Sequence, residues 1–130
     1  MALYTPYFNE THQQVRLTVR KFVDLHIRPF INDWEEAGTF PRELYLKAGE
    51  AGLLGIDHPE ELGGSGPDVF MKIAASEELM RVGSGGLVAS LGSLDSGLPT
   101  VENWGSGEMK QRIATAVISG EKIMALGSTE

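Results

Sequence analysis

A single apolar stripe runs through residues 15–34: Val15, Val19, Phe22, Val23, Ile27, Phe30, Ile31 and Trp34 recur at steps of three and four. That spacing follows the 3.6-residue turn and marks one face of an amphipathic helix, which is stable only when other elements cover it. The chain must therefore fold as helix against helix or helix against sheet. Thr11, with Gln14 three residues later, predicts a capping-box start, and Gly38 predicts a stop. Pro29 lies inside the stripe, where it has no N–H to donate and its ring crowds the preceding turn. One helix, bent near Ile27 or Arg28, is the expectation.

The rest of the chain continues in the same manner. Pro41 suits the first turn of a short second helix carrying Leu44, Leu46 and Ala48 and running to Gly52. Leu53-Leu54-Gly55-Ile56 is too short for a helix and leads into a glycine-rich loop, Glu61 to Pro67. Asp68 is placed to cap a third helix bearing Val69, Phe70, Ile73, Ala74 and Met80, with Gly83 beyond its end. Between Leu87 and Leu98 leucines alternate with small residues and Asp95 is the one charge, which predicts a buried helix that another segment approaches closely. After Pro99 and Trp104-Gly105, Ser106 caps a last helix with Met109, Ile113, Ala114 and Val117 on one face, ending at Ser119-Gly120. Lys122 to Leu126 reads as the start of a β-strand. The expected fold is all-α, an orthogonal or up-down helical bundle of about five to six helices with the start of a strand at the carboxyl terminus. Residues 1–121 are expected to form the helical domain, with 122–130 as a strand-like segment leading out of it.

Composition excludes several function classes. At 130 residues the chain has room for one domain. Eleven Lys plus Arg against eighteen Asp plus Glu leave a net charge of −7, so no broad basic face exists for nucleic acid or an anionic membrane. No apolar run approaches the ~18 residues of a membrane span. Zero Cys removes thiolate metal sites and cysteine nucleophiles. The amino terminus lacks a basic region followed by an apolar one, which makes a cytoplasmic location the expectation. His12, His26 and His58 have no zinc-site spacing and read as ordinary core or surface histidines, so no metal ligand is assigned. Gly64-Ser65-Gly66 and Gly83-Ser84-Gly85 do not complete a dinucleotide fingerprint, and neither a P-loop nor a nucleophile elbow occurs. Glu35-Glu36, Glu60-Glu61 and Glu77-Glu78 read as solvated faces. A self-sufficient enzyme is hard to build from these residues, and the chain reads as a piece of a larger object.

Four segments, in order and in register, resemble the amino-terminal domain of the acyl-CoA dehydrogenase family. Val23-Asp24-Leu25-His26-Ile27-Arg28-Pro29-Phe30-Ile31 with Trp34-Glu35 looks like that family's first helix, internal proline included. Ala51 to Gly66 is similar to its G-L-L-G-I-x-x-P-E-E-x-G-G-x-G signature, the most specific of the four. Trp104-Gly105-Ser106-Gly107-Glu108-Met109-Lys110-Gln111-Arg112 is similar to the G-S-x-E-x-K-x-R start of a later helix. Ser119 to Glu130 resembles the S-G-E…A-x-x-x-T-E stretch that leads into the family's middle β-domain.

The resemblance implies an FAD-dependent oxidation of acyl-CoA to trans-2-enoyl-CoA, with a Glu base taking the α-proton while the β-hydrogen leaves as hydride to the flavin. In the family that base lies in the third domain, so no catalytic residue is assigned in this chain. The T-E motif implies flavin contacts from Leu126, Ser128 and Thr129. The helix matching Leu87 to Leu98 implies an apolar wall for the acyl chain from Leu87, Leu91, Leu94 and Leu98. Glutaryl-type members place an Arg near the start of that helix, whereas Gly85-Gly86-Leu87 offers no positive charge. The implied partners are the acyl-CoA substrate, an electron-transfer flavoprotein or similar acceptor, and further copies in a tetramer. This chain alone is expected to be inactive and to hold no FAD tightly. Two other readings stay open: a stand-alone helical binding or regulatory module, and a flavin monooxygenase or acyl-CoA oxidase of the same architecture.

Overall fold

A computed structural model describes residues 6–129. Its regular elements are helices: α1 (Glu10–His26), α2 (Ile31–Ala37), α3 (Glu43–Glu50), α4 (Val69–Met80), α5 (Gly85–Leu91) and α6 (Leu94–Trp104), then α7 (Gly107–Met109), a π-helical stretch (Lys110–Ala114) and α8 (Thr115–Ile118) without a break. The all-α expectation holds for the described residues, and four local readings need correction.

The amphipathic stripe starts and divides differently than expected. Asn9, not Thr11, caps α1: its side chain accepts from the His12 N–H at 3.1 Å, and His12 Nδ1 accepts from the Asn9 N–H at 3.1 Å. An imidazole thus closes the capping box, because a neutral ring nitrogen accepts as a carboxylate would. The single bent helix is in fact two, since α1 stops at His26 and α2 begins at Ile31. The N–H groups of Ile27 and Arg28 both turn back to the Val23 carbonyl at 3.1 and 2.9 Å, and Pro29 has no N–H with which to resume the ladder. Ile27, fully buried in this turn, still points the stripe into the core.

α1 and α4 lie side by side and run in the same direction, because His12 meets Asp68 near both helix starts and Arg20 meets Glu78 farther along both. Their contact is the spine of the bundle. One core joins Val19, Phe22, Val23 and Ile27 to Leu44 and Ala48 of α3, Ala75 of α4, Leu87 and Leu91 of α5, Leu94 and Leu98 of α6, and Val117 and Ile118 of α8.

The stretch expected as one buried helix from Leu87 to Leu98 is also two elements. α5 ends at Leu91, Gly92 and Ser93 turn the chain, and α6 then runs through Pro99 to Trp104. Pro99 is not a terminator: it removes one bond, the one its N–H would give to the Asp95 carbonyl in the opening turns of α6, and the helix continues. The expected close approach does occur, since the Met124 side chain packs against Gly97, where a Cβ would lie only 2.8 Å from its sulfur.

The glycine-rich loop is held by its own backbone. Gly64, Ser65 and Gly66 donate to the carbonyls of Pro59, Gly55 and His58, each at 2.9 Å. A Cβ on Gly64 would run into the His58 carbonyl, and one on Gly55 would stand 3.0 Å from the Gly64 Cα, so these glycines serve close backbone packing. The loop then delivers α4: Asp57, the one described non-glycine residue at positive φ, accepts from the Asp68 N–H at 2.6 Å. Asp68 in turn caps α4 by accepting from the Met71 N–H at 3.0 Å, as expected. At the other end the expected strand from Lys122 is not formed. No described residue presents a free sheet edge, and a strand without a ladder partner has no hydrogen bonds to define it.

Candidate functional site

Between α1, α3, the segment 53–56, α4, α5 and the start of α6 lies a cleft of ≈ 190 Å³. Its walls are apolar, from Val19, Ala48, Leu54, Ile56, Ala75 and Leu79, and it includes two of the four candidate leucines, Leu91 and Leu94. An enclosed space of about 150 Å³ lined by such side chains is enough to bind benzene, so this one can hold a short hydrocarbon group. Leu87 lies elsewhere, in a second recess of ≈ 320 Å³ between α2 and α5 with Trp34 and Phe40. Leu98 is fully buried and lines neither. The helical spacing of the four leucines could not divide them in this way, because the turn at Gly92–Ser93 rotates α6 away from the register of α5. The remaining wall residues, drawn from α1, α3 and α4, carried no signal in the sequence beyond being apolar.

A charged chain borders the cleft. Lys72 of α4 reaches Asp95 at 2.8 Å, Asp95 Oδ1 lies 3.2 Å from His58 Nε2, and His58 Nδ1 lies 2.7 Å from Glu102 Oε1. His58, read from the sequence as an ordinary core or surface histidine, is 4% exposed and therefore belongs to the core, where it is also paired. Burial alone would push the imidazolium down; the Asp95 hydrogen bond and the Glu102 charge outweigh it and hold His58 above its ordinary range. Burial likewise pulls Asp95 upward, but His58 and Lys72 reverse that and leave it below the usual carboxylate value.

A second cluster lies on the α1/α4 face. Glu78, expected on a solvated face, is 4% exposed. Arg20 donates to it through two nitrogens at 2.8 and 3.0 Å, Arg81 lies at 3.6 Å and Arg16 at 3.8 Å. Adjacent glutamates on a helix point about 100° apart, so one can be buried while its neighbour Glu77 stays out. The Arg20 hydrogen bond holds Glu78 below the ordinary carboxylate range despite burial.

The other candidates stand apart from the cleft. Leu126 is 64% exposed, Ser128 and Thr129 are exposed, and none of the three lines it. From Ile123 to Thr129 no backbone hydrogen bond is made among the described residues, so the donors of this stretch are available to a ligand. Several large apolar side chains also face outward, among them Val69, Ile73 and Met80 along α4, and Trp104 at 86% exposure. Among the described residues no cluster of three or more His, Asp or Glu is arranged to hold a metal ion, and no helix is long and apolar enough to cross a membrane.

Residues 9–121, from the cap of α1 to the end of the bundle, match the family model for the acyl-CoA dehydrogenase N-terminal domain. The chain belongs to the acyl-CoA dehydrogenase family. A short-chain specific acyl-CoA dehydrogenase of Clostridium acetobutylicum is 39% identical over 127 residues, which is 95% of this chain and 33% of that protein. A putative acyl-CoA dehydrogenase from Mycobacterium smegmatis, solved crystallographically, superimposes with a TM-score of 0.85 at 36% identity, covering 92% of this chain and 32% of that one. A glutaryl-CoA dehydrogenase from M. smegmatis, solved in complex with FADH2, gives 0.82 at 26% identity over 90% of this chain and 30% of that one. The chain thus spans about a third of the length of the acyl-CoA dehydrogenases it matches.

Proposed function

We propose that this domain forms the amino-terminal part of an FAD-dependent acyl-CoA dehydrogenase that oxidises acyl-CoA to trans-2-enoyl-CoA. The observation that carries the proposal is the apolar cleft lined by Leu91 and Leu94, on the helices where the family likeness implies an acyl-chain wall. Leu87 and Leu98 support that wall from the neighbouring recess and the core. FAD, when bound, would supply the two-electron acceptor for the β-hydrogen. The residues here fit such a group: Ser128 and Thr129 offer hydroxyls, Leu126 an apolar surface, and the stretch offers backbone N–H donors that no described residue occupies. Donors of that kind favour negative charge on a ring edge. The catalytic base is assigned to a part of the protein outside these residues, and this chain alone is taken to be inactive and not to retain FAD. Residues 122–130 would lead into a β-domain, the full protein would assemble as a tetramer in the cytoplasm, and an electron-transfer flavoprotein would reoxidise it. The outward-facing Val69, Ile73, Met80 and Trp104 favour a domain covered by others over a stand-alone binding module.

The test is acyl-CoA-dependent bleaching of the flavin absorbance band in the whole protein that contains this domain. Leu94→Trp, which fills the cleft, is expected to raise KM for acyl-CoA by about tenfold without lowering flavin content, a loss of about 1.4 kcal/mol of binding. Bleaching with unchanged KM would remove the cleft from the substrate path, and flavin bleaching by a substrate other than an acyl thioester would overturn the proposal.

A further inference from the structure

His58 connects the two walls of the cleft. Leu53, Leu54 and Ile56 form one wall and stand just before it, in the segment that leads into and packs against the glycine loop, while Leu94 and Asp95 form the other at the start of α6. The ring bridges them, with Nε2 on Asp95 and Nδ1 on Glu102. These carboxylates lie seven residues apart on one face of α6, so the loop is tied to two turns of that helix at once.

The geometry favours one protonation state. An ionised carboxylate only accepts, so both ring nitrogens must donate, and only the imidazolium does that; a neutral ring would aim a lone pair at one of the two carboxylates. With the ring 4% exposed, solvent has little access to relieve that mismatch. Lys72 of α4 opposes the charge from the far side of Asp95, and no other charged side chain among the described residues bonds to the ring or shifts its titration. Glu60 and Glu61, on the same loop, are exposed.

We propose that His58 is a proton-operated latch: as imidazolium it clamps the glycine loop onto α6 and holds the cleft walls together, and release of one proton to solvent loosens them and opens the cleft to larger apolar ligands. The inference rests on the cleft itself and stands whatever ligand the cleft takes. None of the four groups involved is assigned to the chemistry.

The test uses the whole protein that contains this domain and a neutral apolar dye, Nile red, whose own charge does not vary with pH, with Leu94→Trp, which fills the cleft, giving the fluorescence that arises outside it. The His58 ring is titrated by nitrogen-15 NMR from about pH 5 to about pH 9 while dye fluorescence is read in parallel. Fluorescence is expected to be low while the ring is doubly protonated and to rise several-fold with the same midpoint as the ring. Glu102→Gln, which keeps shape but removes one carboxylate charge, is expected to move both midpoints down together by about one pH unit. His58→Gln is expected to abolish the pH dependence; should that variant fail to fold, the shift in Glu102→Gln still reads the latch. A ring carrying one proton in the folded protein near pH 6, dye binding that stays flat through the ring titration, or a dye midpoint that Glu102→Gln leaves in place would each overturn the proposal.

Discussion

Glu78 and His58 are both buried charges that tie two segments together, yet they answer to pH in opposite senses. Around Glu78 the partners are guanidiniums, which stay charged throughout the ordinary pH range, so the tie between α1 and α4 is permanent once the carboxylate is ionised. Around His58 the partners are carboxylates and the buried group is the titratable base, so the tie between loop and α6 is conditional. Burying charge carries the same kind of desolvation cost in both places. What differs is which member of the pair can shed its charge near neutrality.

The largest effect is expected from Gly64→Ala, whose new Cβ would drive into the carbonyl of His58 and disturb the latch side alone. A loss of about 3 kcal/mol in urea unfolding is expected, and a loss below about 1 kcal/mol would mean that the loop yields more easily than its packing implies. Glu78→Ala leaves Arg16 and Arg20 without their buried partner. Because Arg20 also reaches water, the expected cost is about 2 kcal/mol, the same at about pH 6 and about pH 8. A cost that changes across that interval would erase the contrast between the two clusters.

The pH dependence of the unaltered chain comes next. His58 is raised in the folded state, so its contribution is fully present below its ordinary unfolded value and is lost as pH climbs through the elevated folded one. The urea midpoint is expected to fall as pH rises through that window, and Glu102→Gln should start the fall at lower pH. Glu78 and Asp95 are depressed, so their contributions are present above the unfolded carboxylate values and are lost as acid carries the pH down through the folded ones. The smallest effect is expected from Lys72→Met. Removing the cation that opposes His58 should move its titration upward by about half a pH unit, read by NMR, while the Glu78 cluster is unchanged.

Local chemistry was the legible part. The apolar stripe, Asp68 and Ser106 as helix caps, and the tight turns at the glycines all follow from interactions within a few residues, and the structure contains them. The same locality explains the misreadings. Asn9 outcompeted Thr11 as cap because His12 could return a hydrogen bond, a role that a capping-box pattern built on Glu or Gln does not anticipate. Pro29 broke a helix while Pro99 did not, since the first sits where the chain turns to place Ile27 in the core and the second, on the exposed face of α6, costs one bond in a helix that Leu94 and Leu98 anchor to the core. The candidate leucines were correctly apolar and buried, but their assignment to one wall required knowing that α5 and α6 are separate elements.

By itself, then, the sequence determined that the chain is helical, where the helices capped by Asp68 and Ser106 begin, and, through four motifs in register, the family to which it belongs. Tertiary structure alone decided which charged residues are buried and which leucines face the cleft. Glu78 and Glu77 are indistinguishable as adjacent glutamates, and His58 is one histidine among three, until residues 58, 72, 95 and 102, or 20 and 78, are brought within hydrogen-bond distance. Burial and charge pairing depend on contacts between residues far apart in the chain, and no local pattern encodes them.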